Sequence, residues 1–260
     1  MKIAGIQLDI AWEDPEETFR RAAPLAREAA AAGARLVVLP EMFATGFTMD
    51  VPVVAAAAPR AEAFLRDLAK TLGIFVLGGV ADGGGTGGKG RNFALAFGPG
   101  GAELCRYQKV HPFTYGGEGE KYEGGTRLAS FACEGLRVVP LVCYDLRFPE
   151  LFRAAAAHAD LIAVVANWPS PRRHAWRTLL QARAMDSQGF VIGVNRCGEG
   201  GGLLYSGDSL LADPLGEILA EAPDGQGLVM GEVSADEVAN VRARFPFLKD
   251  RRPEVYREIS

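Results

Sequence analysis

A cysteine stands at position 143, where the apolar run LRVVPLVCYD must leave the interior, and the helical pattern LRFPELFRAAAAHA follows. A thiol held at such a strand-to-helix corner can face open space beside its neighbours' N–H groups, an arrangement suited to attack on a carbonyl. An unperturbed thiol is mostly protonated near neutrality, so attack needs a base to take the proton or a cation to favour the thiolate. Two sets of residues offer that help. One is a Cys-His-Asp arrangement using His111 or His174. The other is Glu41, just past the apolar run of ARLVVLPEMF, with Lys109, at the end of ELCRYQKVHPF. Each member of the second set lies at or just beyond an apolar strand, and parallel strands of one sheet bring their carboxyl ends together, so all three can converge. Cys105, Cys133 and Cys197 read as small buried hydrophobes.

Short apolar runs alternate with Ala-, Leu- and Arg-rich segments at helical spacing, which is the α/β signature. IAGIQLDI predicts a strand, and PEETFRRAAPLAREAAAAG a helix opened by acidic residues and stopped at Gly33. RAEAFLRDLAKTLG predicts a second helix, GIFVLGGVAD and RNFALAFGP two strands, LIAVVANWP another strand and HAWRTLLQARAMDSQG another helix. The final third, through FVIGVNRCG, YSGDSLLADPLGEIL and GLVMGEV, is strand-rich. No linker, repeat or low-complexity segment divides the chain, so residues 1–260 are read as one domain. Residues 245–260, containing FPFLKDRRPEVY, are expected to form an extended C-terminal arm packed against a neighbouring surface.

Several functions are disfavoured by composition. With net charge −4 and scattered Lys and Arg, no basic stripe exists for nucleic acid. No apolar stretch approaches the roughly 18 residues that span a bilayer, and MKIAGIQLDI enters a strand without a signal-like region. A soluble, cytoplasmic protein is expected, with no membrane partner. The four cysteines are far apart and only three histidines accompany them, so neither a metal centre nor a disulfide framework is expected. GGGTGGKG at 83–90 nearly spells a phosphate-binding loop, but Gly90 stands where Ser or Thr should be and a strand follows, so it reads as a hairpin loop.

LPEMFATGF, YQKVHPF and PLVCYDLRFPEL resemble, in order, the three catalytic motifs of the nitrilase superfamily, the carbon-nitrogen hydrolases. The likeness continues through GEGEKY, VANWP, the HAWRTLLQARAMDSQGF helix, NRCG, YSGDS and DPLGE, and LPEMFATGF and VANWPSPR are closest to the bacterial omega-amidase branch. The resemblance implies a four-layer α-β-β-α sandwich, two mixed sheets face to face with helices outside. It implies Cys143 as nucleophile, Glu41 as general base and then acid, and Lys109 as the cation that holds the tetrahedral intermediate, with the Tyr144 N–H completing an oxyanion hole. Glu118 matches a second family glutamate, which orients Lys109, assists proton transfer or serves structure alone.

No cofactor is implied, and a homodimer using the helix after Cys143 and the C-terminal arm is. Phe43, Phe113, Tyr144 and Trp168, within a few residues of the strand ends, are expected to wall a narrow pocket. The omega-amidase likeness implies short 2-oxo dicarboxylate monoamides as substrates. Their far carboxylate is assigned to Arg147, with Arg172 and Arg173 in reserve. Competing readings are another amide or carbamoyl hydrolase of the superfamily (deaminated glutathione or an N-carbamoyl substrate), a cysteine peptidase using His111, and a module without catalysis.

Overall fold

The computed structural model describes residues 1–258; positions 259 and 260, the end of the predicted arm, lie outside them. The first half runs β1 (Lys2–Gln7), α1 (Pro15–Ala31), β2 (Leu36–Val38), α2 (Val51–Leu72), β3 (Phe75–Asp82), β4 (Gly90–Phe97), β5 (Glu103–Gln108), α3 (Glu118–Lys121) and β6 (Tyr122–Glu123). It continues with β7 (Phe131–Cys133), β8 (Leu136–Val142), α4 (Pro149–Ala155), β9 (Leu161–Ala166), α5 (Arg173–Ser187) and β10 (Phe190–Asn195). The last part is β11 (Cys197–Gly200), β12 (Leu203–Ser206), β13 (Leu210–Ala212), β14 (Ile218–Glu221), β15 (Gly227–Glu232), α6 (Ala235–Arg244) and α7 (Pro253–Glu258).

Local chemistry explains most boundaries. Asp14 caps α1 by accepting from the Glu17 N–H at 3.1 Å, with Pro15 and two glutamates in the first turn. The second helix starts earlier than its periodic segment predicts, because Asp50 caps it through the Val53 N–H at 3.2 Å and Pro52 fits its first turn. It stops as predicted at Gly73, whose φ of 64° is the left-handed conformation glycine adopts freely. The 83–89 segment is a loop between antiparallel β3 and β4, not a phosphate cradle.

The strands form two principal mixed sheets. One is seven-stranded, in the order β15-β1-β2-β3-β4-β5 with β6 beside β4. The other is six-stranded, in the order β14-β13-β10-β9-β8-β7, and β11 and β12 make a separate ribbon. One apolar cluster holds the α1 and α2 side chains with the strand residues they cover, such as Ala26, Leu65, Val37 and Leu95. A larger one joins strand residues of both sheets, such as Ile3, Leu77, Leu141 and Val164, to Phe152 of α4 and Leu180 of α5. The order is therefore helix, sheet, sheet, helix. Where β1 meets β10 the sheets approach so closely that a Cβ on Gly5 would lie 2.5 Å from Val194 Cγ2.

Two expectations need correction. Glu41 follows β2 and Lys109 follows β5, both in the seven-stranded sheet, but Cys143 follows β8 in the other sheet. Convergence is thus across the sandwich, at one end of both sheets, and not along one parallel sheet. The C-terminal segment is not extended: Phe247–Asp250 form a 3-10 turn and α7 follows, because Pro253 fits a helical first turn. Among the described residues no helix is long and apolar enough to cross a membrane.

Candidate active site

The site begins with a strained corner. Cys143 ends the apolar run with φ 45°, an unusual value for a residue other than glycine, and opens a 3-10 turn over Cys143–Arg147. The corner is held by Asp145, which is fully buried. Its carboxylate accepts from the Val142 N–H at 3.1 Å, the Tyr107 hydroxyl at 2.8 Å and the His111 N–H at 3.0 Å. Tyr107 and His111 flank Lys109, so one carboxylate fastens the lysine segment of the first sheet onto the cysteine turn of the second.

Glu41 is delivered by a similar corner. The chain leaves β2 through Pro40, and Met42 takes φ 44°. The turn is tied to β3 by Gly79 N–H to Pro40 O and Phe43 N–H to Gly79 O, both 3.0 Å.

Within the resulting pit Lys109 Nζ lies 2.9 Å from Glu41 Oε1, and 3.0 and 2.8 Å from Glu118 Oε1 and Oε2. These three side chains are at most 1% exposed. Burial alone would discharge Lys109, but the Glu118 and Glu41 carboxylates outweigh it and raise its pKa, so the site keeps its ammonium. Asn92 Nδ2 donates to Glu41 Oε1 at 2.8 Å and to Glu118 Oε1 at 3.0 Å. The Phe113 N–H donates to Glu118 Oε2 at 2.5 Å, which fixes the second glutamate.

From the other sheet, Asn167 follows β9, and its N–H donates to Glu41 Oε2 at 2.9 Å. Its Nδ2 donates to Glu41 O at 2.5 Å, and its own carbonyl lies 3.9 Å from Cys143 Sγ. Burial, and then the negative charge of Glu41, push the Cys143 thiol well above its ordinary value, against the opposing pull of Lys109. The resting group is therefore a thiol, and attack must be accompanied by proton transfer. Burial also lifts the other cysteines, Cys105 and Cys133 to about 12 and Cys197 to about 11, and none of them lines this pit.

Above Cys143 opens a cavity of about 200 Å³, lined chiefly by Phe47, Met49, Phe113, Tyr144, Trp168, Leu203 and Tyr205. Arg147 and Arg172 also line it, with their guanidinium carbons 5.0 Å from the ring centres of Trp168 and Phe113. The Trp168 indole N–H donates to Arg172 O at 2.8 Å, so its ring is fixed by the loop that carries that arginine. Among the described residues no group of three or more His, Cys, Asp or Glu side chains could hold a metal ion.

Residues 2–243 match the family model described as carbon-nitrogen hydrolase. The chain belongs to the carbon-nitrogen hydrolase family. It is similar to the omega-amidase YafV of Yersinia enterocolitica, 36% identical over 256 residues covering 96% of each chain. It is also similar to the 2-oxoglutaramate amidase of Bacillus subtilis (strain 168), 31% identical over 257 residues covering 98% of each. Among solved structures it resembles a variant of the amidase from Nesterenkonia sp. AN1 in which acrylamide has added to the active-site cysteine. That match has a TM-score of 0.88 and 28% identity and covers 100% of both chains. The four-layer sandwich is the nitrilase-type fold of these carbon-nitrogen hydrolases.

In this carbon-nitrogen hydrolase the structure brings Glu41, Lys109, Glu118 and Cys143 together in one pit, and Phe113, Tyr144, Arg147 and Trp168 line its cavity. Phe43 does not. It is fully buried on the α1 and α2 side of the first sheet, its ring 5.8 Å from Phe19 and 5.7 Å from Phe64. The turn at Met42 sends Phe43 away from the cavity, and Phe47 and Met49 form that wall. Arg173 is also elsewhere, 2.5 Å from Asp208. His111 stacks on Phe148 with centroids 3.6 Å apart and its Nδ1 lies 3.0 Å from Asp145 Oδ1, while His174 is exposed. Neither histidine lines the cavity with Cys143. Asn92, Asn167, Asp145 and Tyr205 were missed. The sequence signals the two asparagines only as polar residues at the edges of apolar runs, in RNFALAF and VVANWP.

Proposed function

We propose that this carbon-nitrogen hydrolase is a cysteine amidase that removes the terminal amide of short 2-oxo dicarboxylate monoamides, the 2-oxoglutaramate type. The observation that carries this reading is the cavity over Cys143. It is small and aromatic-walled, and among the described residues its two guanidinium groups, Arg147 and Arg172, stack on rings with no carboxylate partner. A cation without a protein anion, beside a buried thiol, suits a substrate that carries its own carboxylate. The similarity to the omega-amidase and 2-oxoglutaramate amidase supports the same class.

In the reaction Cys143 Sγ attacks the amide carbon while its proton passes to Glu41. The developing oxyanion is met by the Lys109 ammonium and by the Tyr144 N–H, which has no intrahelical acceptor at the start of its turn. Glu41 then gives the proton to the nitrogen, and ammonia leaves a thioester. Water attacks the thioester with Glu41 again as base, releasing a carboxylate and the thiol. Glu118 neutralises and orients Lys109 through two contacts and touches no reacting atom.

Ammonia release from 2-oxoglutaramate, measured beside deaminated glutathione, an N-carbamoyl amino acid, a nitrile and an uncharged short amide, tests the assignment. The 2-oxo acid amide should have the highest kcat/KM. If the uncharged amide is turned over as fast, only the broader amidase reading survives.

We further propose a homodimer formed through α4 and the C-terminal arm. Phe247 and Tyr256 are 43% and 46% exposed and share a groove with Pro149 and Arg153 of α4, which a second copy would cover. Light scattering showing a monomer at micromolar concentration would refute it.

A further inference from the structure

We infer that Asn92 is a positioning residue of the site, loading Glu41 Oε1 so that Glu41 Oε2 is the oxygen that takes the Cys143 proton. The inference rests on the thiol amidase reading above and adds to it the identity of the basic atom and the residue that selects it. Asn92 lies at the start of β4 and is 1% exposed. Its Nδ2 spans the two carboxylates, 2.8 Å to Glu41 Oε1 and 3.0 Å to Glu118 Oε1, and its carbonyl accepts the Lys109 N–H at 2.8 Å. The orientation of the amide is not arbitrary. Turned over, its oxygen would face two carboxylate oxygens at hydrogen-bond distance, so the NH₂ must point toward them.

Counting donors separates the two oxygens of Glu41. Among the described residues Oε1 accepts from Lys109 and from Asn92, whereas Oε2 accepts only the Asn167 N–H at 2.9 Å. The Asn167 backbone touches both groups, its N–H on Oε2 and its carbonyl 3.9 Å from Cys143 Sγ, and this shared contact is what points to Oε2 as the proton acceptor. An oxygen with two donors, one of them charged, is a weak base; the oxygen with one donor keeps a free lone pair. As the S–C bond forms, the thiol proton passes to Oε2 and the carbonyl π pair moves onto the oxygen that faces Lys109. Glu118 competes poorly for that proton, since its two oxygens carry Lys109, Asn92 and the Phe113 N–H.

The residue type follows from the charge count. Two buried carboxylates share one ammonium, and without a further donor one of them would take up a proton and the base would be lost. A second cation in place of Asn92 would stabilise both carboxylates so far that neither could accept the thiol proton. A neutral amide with two N–H groups supplies one donor to each and no charge.

The test uses Asn92→Leu and the smaller Asn92→Ser, with Glu41→Gln as reference. Melting curves, kcat, KM and the pH dependence of Cys143 alkylation by iodoacetamide are measured, the last needing no turnover. In the Asn92 variants kcat should fall about tenfold or more with KM within about twofold. The acid limb of alkylation should move up by about half a pH unit or more, because a carboxylate that loses a donor ionises less readily. Glu41→Gln should abolish that limb and leave a single rise with the thiol's own ionisation. If Glu41→Gln removes the limb but both Asn92 variants keep the parent limb, Asn92 only fills space and the inference is overturned. If Glu41→Gln keeps the limb, the base is not Glu41, and the mechanism and the inference fall together.

Discussion

Gly79 of β3 lies directly against Glu41: a Cβ on the glycine would sit 2.3 Å from Glu41 Cα and 2.7 Å from the Met42 nitrogen. The strand omits a side chain where the turn carrying the carboxylate crosses it, and two backbone hydrogen bonds fill the gap. The obstruction would be backbone, which cannot swing aside as a flexible side chain can.

Gly79→Ala should therefore displace Glu41, costing about 1 to 3 kcal/mol of stability and at least tenfold in kcat/KM. Gly5→Ala, whose Cβ would meet the Val194, Val229 and Ile192 side chains and not the turn that carries Glu41, is the control. It should lose comparable stability and keep the parent kinetics. Parent-like turnover in Gly79→Ala would mean that the turn tolerates the methyl and that the glycine is not what positions Glu41.

Lys109 and Cys143, the two titratable groups grouped with Glu41, are both shifted upward, which fixes the alkaline side of the pH profile. Lys109 is raised above its ordinary 10.5 and stays charged, and Cys143 is raised well above 9.0 and stays a thiol. Neither loses its working protonation state as pH rises through the weakly alkaline range. kcat/KM should thus stay flat from neutral pH to about pH 9. Cys143→Ala should abolish turnover, while alanine at Cys105, Cys133 or Cys197 should leave it largely intact in folded protein. An alkaline limb near pH 8 in the parent enzyme would point to a thiolate or a neutral lysine in the mechanism, contrary to the geometry.

Lys109→Met removes the cation that pairs with two carboxylates, both fully buried. Breaking such a pair costs about 3 to 5 kcal/mol when the remaining charges stay. The folded protein can relieve that by binding a proton, so one carboxyl pKa should rise above its unfolded value. The stability gained from that proton is present below the unfolded pKa and is lost as pH rises through the folded one. Urea unfolding should show Lys109→Met closest to the parent at about pH 5 and weakest at pH 8, with no amide turnover at either. A constant stability deficit across that range would show that no proton is taken up and that the pit relaxes by admitting water.

How far the site is legible in the sequence depends on what carries each residue there. Cys143 and Glu41 stand at the ends of apolar runs and Lys109 at the end of a strand segment, which makes them candidates, but only the resemblance of the three motifs separates them from a set built on His111 or His174. Their separation onto two sheets is not legible, because periodicity gives strands and not their partners. Phe43 shows the limit at single-residue scale: two positions from Glu41, it is turned into the helix-side core by a backbone reversal at Met42 that no apolar pattern encodes. Asn92 and Asn167 border apolar runs, FALAF after one and LIAVVA before the other, and their meaning appears only when β4 and β9 bring them to one carboxylate. The C-terminal arm fails for another reason. Two prolines suggest extended chain, yet Pro253 occupies the first turn of a helix, where a missing N–H costs nothing.

The choice between Arg147 and Arg172 decides how the substrate is held. Arg147 lies four residues past the nucleophile and stacks on Trp168, whereas Arg172 stacks on Phe113 across the cavity. Arg147 shares the rigid turn that carries Cys143, so a carboxylate bound there is held at a fixed distance from the sulfur. Arg172 sits on the loop to which Trp168 is hydrogen-bonded, so its loss would also loosen an aromatic wall. Arg147→Ala should thus lower kcat/KM for 2-oxoglutaramate by at least about thirtyfold, as expected for a charge pair worth about 2 kcal/mol or more, and leave an uncharged amide of equal length nearly unaffected. Arg172→Ala should reduce both substrates together. If Arg172→Ala erases the preference for the carboxylated substrate and Arg147→Ala preserves it, the two assignments exchange, and the anchor moves from the nucleophile's own turn to the opposite wall.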